Sequence, residues 1–412
     1  MEFNRERELV AEVKRYVADN MPLGAMGDEE LEDAIREAVD QRVGGDYCAI
    51  EQKVSVVRQV YSQIRGFGLL DGIMTDDSVT EIMINGHENI FVERRGALER
   101  LNMRFESRRR LEDVIYRVVG LAGREVNQAS PIVDTRLPDG SRVNVVLPPI
   151  ALGGPTMTIR KFSKSPMTVE RLIELGSVSK ELTGKLRSLV GAKYNILISG
   201  GTGSGKTTFL NALSNYIPKH ERIITIEDSA ELRLSGLDNL VSLETRNANA
   251  SGAGRVTIRE LIRTSLRMRP ERIVVGEVRG DEALDMLQAM NTGHDGSLST
   301  GHANSASDML SRLETMVLQG APGLPLEAIR QQIASALDIL IHLSRMRDGT
   351  RKATEITEVA GYENGAVALN PLYIFEEDGG STALRVSGGL VRTKNPMLNT
   401  HKFKTAGIEA AF

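Results

Sequence analysis

NILISGGTGSGKTTFLNAL, residues 195–213, is the stretch that decides the fold. Its apolar start, 196–198, is typical of a buried strand, and the segment after the glycines has the residues of a helix. Between them, Gly200 is followed by four residues and then by Gly205, Lys206 and Thr207. This is the P-loop pattern in the strand–loop–helix context that it requires. The sequence therefore predicts a phosphate-binding loop.

The chemistry of the loop follows from its residue types. Glycine lets the backbone approach a phosphate without a Cβ clash, and backbone N–H groups at the start of a helix attract an anion. Lys206 is expected to reach the β- and γ-phosphates, and the Thr207 hydroxyl to hold Mg²⁺. ATP and Mg²⁺ are thus the expected ligands. The predicted nucleotide-binding residues of the loop are Gly200, Gly201, Thr202, Gly203, Ser204, Gly205, Lys206, Thr207 and Thr208.

Composition narrows the class of protein. The 412 residues are 26% charged and 41% hydrophobic, which is typical of a soluble globular protein with two or three domains. The formal net charge of -4 gives no global attraction to nucleic acid. Cys48 is the one cysteine, which excludes an intramolecular disulfide and a cysteine-cluster zinc site. The charged N-terminus has no signal core and no apolar run approaches a membrane span of roughly 18 residues, so we expect a cytoplasmic chain without a transmembrane segment.

The chain before the P-loop divides into two regions of different texture. Residues 1–70 carry three stripes of apolar residues at helical spacing and predict an N-terminal helical region. Residues 71–162 mix short strand-like runs with one helix over 109–121, and predict an α+β domain with an antiparallel sheet. The strands predicted there are 79–86, 89–93, 132–137, 142–147 and 156–161.

Three arginines in this α+β domain lie in or beside short strands. They are Arg136, Arg142 and Arg160. Arginine at such a position is often only a surface residue. Its planar fork also suits phosphate, so presentation toward a phosphate is the alternative interpretation.

A linker over 163–176 precedes the P-loop domain, 177–412. Strands and helices alternate in that domain, which predicts a parallel sheet covered by helices. Thr257 and Glu260 form a capping-box pattern at one helix start, and Asp281 is expected to cap the next helix. Residues 247–255 predict an exposed loop, and short β-like runs over 353–375 predict a small antiparallel addition.

Three further stretches of the P-loop domain carry residues suited to chemistry. A strand over 223–226 ends in Glu227 and Asp228, with Glu231 just after, and another apolar strand ends at Glu277. Strand ends in such a sheet face the phosphates, where a carboxylate can hold Mg²⁺ through water or polarise the attacking water. The third stretch carries His294 and His302, which are suited to sense a γ-phosphate by hydrogen bonding.

Taken together, these stretches resemble a known family. GGTGSGKTT, TIEDSAEL, LRMRPERIVVGEVRGDEA and NTGHDGSLSTGHANS look like the P-loop, Asp box, Walker B box and His box of the type II/IV secretion ATPase superfamily, the motors of secretion systems and type IV pili. The segments PIVDTRLPDGSRVN and GPTMTIRKF resemble its CpaF/TadA branch, which drives tight-adherence (Flp) pili. Some members carry a four-cysteine zinc element, which a chain with one cysteine cannot form.

The resemblance implies a fold, an activity and roles for residues. The fold would be α/β, with a RecA-like P-loop ATPase domain after an α+β (PAS-like) N-domain and N-terminal helices. Arg136, Arg142 and Arg160 would be the N-domain arginines aimed at the nucleotide. Glu277 would support Mg²⁺ or the lytic water, and Glu227 is preferred as general base. Glu231 is the alternative base, with His294 and His302 as His-box residues.

The resemblance also implies partners, and alternatives stay open. It implies a homo-hexamer that works on inner-membrane platform proteins of a pilus or secretion machine, held at that membrane through them. A type IV secretion ATPase that moves DNA or protein would share every ATP residue. A helicase shares the core, but the chain lacks the basic and aromatic strips of nucleic-acid binding. A small-molecule kinase and a nucleotide-gated scaffold are the remaining alternatives.

Overall fold

The computed structural model describes residues 2–23, 26–43, 49–64, 66–94, 96–162, 167–234, 236–246, 248 and 254–410. Cys48, residues 163–166 of the predicted linker and most of the predicted loop 247–255 lie outside the described residues. The chain forms two compact units, Met1–Lys164 and Ser165–Phe412. Within the described ranges, no helix is long and apolar enough to cross a membrane.

Unit 1 begins with three helices that pack on one another. These are α1 (Glu2–Asn20), α2 (Asp28–Val43) and α3 (Ile50–Ile64). Their apolar stripes meet in a core whose fully buried members include Val13, Val17, Leu31, Ile35 and Val60. The predicted helical region is therefore present. A 3₁₀ turn (Gly68–Leu70) and the short α4 (Asp71–Thr75) lead from α3 into the sheet.

The rest of unit 1 is a six-stranded sheet with one helix on its buried face. The strands are β1 (Val79–Asn85), β2 (Ile90–Arg94), β3 (Ala97–Arg100), β4 (Ile132–Arg136), β5 (Arg142–Val146) and β6 (Thr156–Arg160), in the order β3-β2-β1-β6-β5-β4. Every pairing is antiparallel, as predicted. Helix α5 (Arg108–Leu121) starts at the cap residue Ser107 and buries Leu111 and Ile115 against the sheet.

Unit 2 contains a nine-stranded mixed sheet. Its strands are β7 (Ile196–Gly200), β8 (Ile223–Glu227), β9 (Leu240–Glu244), β10 (Arg272–Val278), β11 (Leu298–His302), β12 (Ile339–Arg345), β13 (Arg351–Glu363), β14 (Ala366–Glu377) and β15 (Gly388–Arg392). The order is β15-β14-β13-β12-β7-β11-β10-β8-β9. The strands from β12 to β9 in this order run parallel. Because parallel strands are buried on both faces, their sequences read as continuous apolar runs.

Helices cover both faces of this sheet. They are α6 (Val169–Glu174), α7 (Lys180–Gly191), α8 (Lys206–Ser214), α9 (Ile258–Ser265), α10 (Glu282–Asn291), α11 (Ala306–Gly320), α12 (Leu326–Ala336) and α13 (His401–Ala406). The predicted capping box at the start of α9 is present with both of its hydrogen bonds. The predicted cap at Asp281 is wrong in detail, because its carboxylate accepts from Arg259 at 2.9 Å rather than from the helix.

Two other predictions about unit 2 need correction. Part of the predicted linker forms α6, whose Val169 and Leu172 are buried in the core of unit 2. The C-terminal β-like runs are not a separate small sheet. They form the long strands β13 and β14, which extend the main sheet antiparallel from β12. A sequence pattern cannot distinguish these cases, because it does not show which sheet or core a segment joins.

Buried charges hold the amino-terminal edge of the parallel strands. Arg272, fully buried at the start of β10, donates to Glu221 through Nε at 2.5 Å and through Nη2 at 3.0 Å. Its Nη1 donates to the Val190 carbonyl at 2.7 Å. Beside this pair, Lys402 of α13 donates to Asp338 at 2.7 Å, and the same carboxylate oxygen accepts from the Asn195 N–H at 2.7 Å. The C-terminal helix is thereby fastened to the strand that leads into the P-loop.

Candidate nucleotide site

The P-loop connects β7 to α8 in the geometry that the motif predicts. Gly203 and Gly205 have φ of +70° and +93°, in the left-handed region that favours glycine. At Gly200 a Cβ would collide with the Leu343 carbonyl of β12, so the strand end is too tightly packed for any side chain. The Lys206 amine donates to the Gly201 carbonyl at 3.0 Å across the loop.

The parallel register places the predicted chemical residues at one edge of the sheet. Gly200 at the end of β7 pairs with His302 of β11 on one side and with Leu343 of β12 on the other. Glu227 ends β8, and Glu277 lies near the end of β10. The carboxyl ends of parallel strands are where such sheets bind ligands. The structure therefore brings the P-loop, the two acids and His302 to the same edge.

Lys206, His302 and Glu277 form a contact series beside the P-loop. The Lys206 amine lies 3.3 Å from Nδ1 of His302, and Nε2 of His302 lies 2.8 Å from Oε1 of Glu277. Although Nε2 of His302 lies close to it, Oε1 of Glu277 is buried and forms no hydrogen bond among the described residues. The series thus links a carboxylate to the P-loop lysine through His302.

The pKa of His302 is lowered, first by burial and then by the neighbouring Lys206 and Arg279 cations, although Glu277 opposes this shift. Desolvation and nearby positive charge both disfavour the imidazolium form. The ring is therefore neutral at pH 7. A neutral imidazole can accept a hydrogen bond from the lysine at one nitrogen and donate at the other.

Arg279 extends the series to the Asp box, and the sequence analysis gave it no role. Its guanidinium donates to Oε2 of Glu277 at 2.5 Å and 2.8 Å, and Nη1 donates to Asp228 at 3.2 Å. The side chain is half exposed at 54%. The sequence signal for it is the stretch GEVR, in which Arg279 lies two residues after Glu277. The arginine thus ties together acids that come from β10 and from the turn after β8.

Glu227 is placed differently from the general base that the resemblance suggested. Its side chain is 4% exposed, and Oε1 accepts from the N–H groups of Glu231 at 3.0 Å and Leu232 at 3.1 Å. Burial raises the pKa of Glu227 to about 7, although these two amides lower it. The carboxyl group organises the turn that follows β8, and Glu231 lies within that turn with its backbone N–H committed to Glu227.

The structure does not bring His294 to the P-loop. His294 precedes β11, at the amino-terminal edge of the sheet, whereas the P-loop lies at the carboxyl-terminal edge. Its Nδ1 lies 3.2 Å from the Ala289 carbonyl, and its own carbonyl accepts from the Ser297 hydroxyl at 2.7 Å. These contacts close the turn between α10 and β11. The two histidines of the His-box stretch therefore lie at opposite edges of the sheet.

A cavity of about 530 Å³ opens beside the first residues of the P-loop. Its lining includes Gly201, Thr202, His302, Asn304 and Arg312 of α11. It therefore adjoins the side of the loop on which His302 and Lys206 meet. On the opposite side of the loop, Nε of Arg351 in β13 donates to the Gly203 carbonyl at 2.8 Å, a contact that no local sequence pattern indicates.

The three arginines of unit 1 form a row across neighbouring strands. Arg136 pairs directly with Arg142, and Arg142 pairs directly with Arg160. Directly opposed residues share one face of a sheet, and like charges opposed in this way are destabilising. Arg160 is followed in the row by Glu81 of β1, and Arg142 also pairs with Asp134 at 2.6 Å. Side chains alternate between the two faces along a strand. Val143, which follows Arg142 in β5, faces the core, so the row lies on the open face.

The fold and the site together define the class of protein. A parallel sheet with a P-loop at its central strand, and with acids and a histidine at the neighbouring strand ends, is that of a P-loop nucleotide-binding protein. Residues 66–373 match the family model described as "Type II/IV secretion system protein". The chain belongs to this family.

Individual relatives agree with the family match. A protein of Mycobacterium tuberculosis named for conjugal transfer is 35% identical over 76% of this chain and 90% of its own length. The type IV secretion system protein PtlH of Bordetella pertussis is 34% identical over 66% of this chain and 87% of its own. The crystal structure of the pilus retraction motor PilT with bound ADP has a TM-score of 0.51 at 19% identity, covering 82% of this chain and 85% of that one. This last likeness concerns the fold alone.

Proposed function

We propose that the chain is an ATPase that converts hydrolysis of ATP to ADP and phosphate into mechanical work. The observation that carries the proposal is the contact series of Lys206, His302 and Glu277 at the P-loop edge. A P-loop alone binds a triphosphate. A carboxylate linked to its lysine through His302 adds a group that can act on water.

Two buried oxygen atoms at the site fit a bound nucleotide with Mg²⁺. Oε1 of Glu277 and the hydroxyl of Ser204 are buried without hydrogen-bond partners among the described residues, and such atoms are costly unless something satisfies them. Thr207, and Glu277 in part through water, would hold the ion, which when bound supplies positive charge at phosphate oxygens. The described residues contain no cluster of three or more acidic, His or Cys side chains that could hold a metal, which agrees with an ion that relies on substrate phosphates.

The residues of the chain then divide the work. The P-loop amides and Lys206 bind and orient the phosphates, and the lysine neutralises charge as the terminal phosphoryl group leaves. Glu277 orients the attacking water and accepts its proton, since its Oε1 is available and the carboxyl of Glu227 is committed to backbone amides. Neutral His302 lies between Glu277 and Lys206 and can sense the γ-phosphate by a hydrogen bond. Arg279 holds Glu277 in place.

The arginine row of unit 1 supports a second part of the proposal. Arg136, Arg142 and Arg160 would contact nucleotide phosphates. Three arginines on adjacent strands place guanidinium groups on one face of the sheet, and their fork geometry suits a phosphate. Work on a partner also requires assembly, so we propose a homo-hexameric ring. A monomeric mass for the ATP-bound form in light scattering would count against the ring.

The proposal also concerns which machine the motor drives. The segments 131–144 and 154–162 support assembly of a tight-adherence (Flp) pilus of the CpaF/TadA type, through inner-membrane platform proteins. The second candidate is a type IV secretion ATPase that moves DNA or protein, and the relatives named for conjugal transfer and for type IV secretion support it. Cells that carry a chromosomal Lys206→Ala allele would distinguish the two: loss of piliation supports the first, and loss of conjugation or of export supports the second.

The ATPase itself is tested by phosphate release from the purified chain. Lys206→Ala is expected to abolish hydrolysis, because the variant loses the cation that contacts the β- and γ-phosphates. Lys180→Ala, at the exposed start of α7, is the matched control and should keep the wild-type rate. A folded Lys206→Ala protein with undiminished turnover would refute the assignment. A wild-type protein that binds ATP without releasing phosphate would favour a nucleotide-gated scaffold.

A further inference from the structure

Gly276 occupies the place where many P-loop proteins carry an aspartate linked to Mg²⁺, and the packing around it explains why this chain has none. A Cβ at position 276 would lie 2.9 Å from Cγ of Glu227 and 3.4 Å from its Oε1. Real Cβ contacts of 2.9 Å essentially do not occur, so something would have to shift. The neighbouring backbone is fixed by strand pairing, because Val275 pairs with Ile226 in the preceding register position. The space of the missing side chain is therefore occupied by Glu227.

The same glycine lies in a β-bulge. Between Val275 and Val278 of β10 the register with β11 shifts: Val275 pairs with Ser299, whereas Val278 pairs with Gly301. Gly276 and Glu277 together thus oppose the single residue Thr300. Bulges of this kind are frequent next to active sites, where they re-aim a side chain.

A buried hydroxyl holds this bulge. Thr300, fully buried, donates from Oγ1 to the Gly276 carbonyl at 2.7 Å. The adjacent strand provides a contrast, since the buried hydroxyl of Thr225 in β8 has no hydrogen-bond partner among the described residues. Thr300 and Thr225 lie on the two strands that flank β10, and only Thr300, opposite the bulge, makes this contact.

We infer that Gly276 and Thr300 are positioning residues that place the two acids of the site. Gly276 leaves the room in which Glu227 stands, and Glu227 in turn orders the turn that carries Asp228. The Thr300 hydroxyl fixes the bulge that directs Glu277 toward His302 and away from the strand ladder. The catalytic part of this inference rests on the proposed ATPase function, whereas the packing part does not.

A stability cycle tests the packing part. Gly276→Ala should lower the Tm by about 3 °C or more in the wild-type background. The added Cβ would clash with Cγ of Glu227, and the strand backbone that carries it cannot move away. In the Glu227→Ala background the same change should leave the Tm nearly unaltered, since Cβ of residue 227 lies 3.5 Å away, an ordinary contact. Gly184→Ala in α7, where no atom lies within 4 Å of the added Cβ, is the control. Equal effects of Gly276→Ala in both backgrounds would overturn the packing inference.

Steady-state kinetics test the catalytic part. Thr300→Val should lower kcat about tenfold with KM for ATP little changed, because the P-loop is untouched while Glu277 loses its placement. Thr300→Ser, which keeps the hydroxyl, should restore most of the rate, and Thr225→Val should match the wild type. If Thr300→Val behaves like Thr225→Val, the positioning role is refuted. A wild-type chain that hydrolyses no ATP would instead refute the proposed function, and the stability cycle would still decide the packing.

Discussion

Replacing Glu227 by glutamine is expected to change how the stability of the chain depends on pH. Burial raises the pKa of this carboxyl group from 4.5 to about 7. Below pH 4.5 the group is protonated in the folded and in the unfolded chain, and the stabilisation of the folded state by this proton is fully present. As the pH rises from 4.5 to 7, the unfolded chain ionises first, so stability falls. The difference between the two pKa values corresponds to about 3 kcal/mol.

The measurement is the free energy of unfolding in urea at several pH values between 5 and 8, for the wild type and for Glu227→Gln. The variant keeps a neutral group in the buried position and cannot ionise. Relative to the variant, the wild type should therefore lose about 2.5 kcal/mol over this range, most of it before pH 7. Glu376→Gln, at an exposed position of β14, is the control and should follow the wild type. Parallel pH profiles for the wild type and Glu227→Gln would refute the reasoning.

Three other predictions follow from charges described above. The double variant Arg136→Ala/Arg142→Ala should lower ATP hydrolysis at least about tenfold, as removal of phosphate contacts typically does, and unchanged affinity and turnover would remove these residues from the site. Glu221→Ala leaves Arg272 buried without its carboxylate and should lower the free energy of unfolding by about 3–5 kcal/mol, measured by urea denaturation; a loss under 1 kcal/mol would contradict the burial of this pair. The pKa of His302 lies below its usual 6.5, so imidazolium forms beside the P-loop lysine only in acid; its positive charge should strengthen ATP binding there, and His302→Gln should remove this pH dependence in nucleotide-binding titrations.

The P-loop and the strand-end residues were predictable because their signals are local. An apolar strand of a parallel sheet followed directly by Glu227, Glu277 or the P-loop glycines needs no knowledge of distant partners. The parallel register then brings these residues together, since parallel strands place their carboxyl ends at one edge. The same rule explains the failure at His294, which lies on the amino-terminal side of its strand although its motif is continuous with that of His302.

What the sequence could not indicate depends on pairing between remote segments. The arginine row requires the register of β4, β5 and β6, which brings residues 136, 142 and 160 opposite one another. The contact of Arg351 with the P-loop depends on β13 folding back along β12. Strand β3 escaped prediction because all four of its residues are exposed, so it has no apolar alternation. Helix α6 was not predicted because the segment just before it contains Ser165-Pro166, which is typical of a linker.

The two edges of the nine-stranded sheet hold their charges in opposite ways. At the amino-terminal edge, Arg272 and Glu221 are almost wholly buried and Lys402 is 14% exposed, so these links break only when the unit unfolds. At the carboxyl-terminal edge, His302 and Arg279 are 36% and 54% exposed, and their contacts with acidic side chains exchange readily with water or a ligand. Among the described residues, the charge contacts are therefore looser at the P-loop edge than at the opposite edge. We expect a displacement that starts at the P-loop edge to leave the opposite edge of the sheet in place.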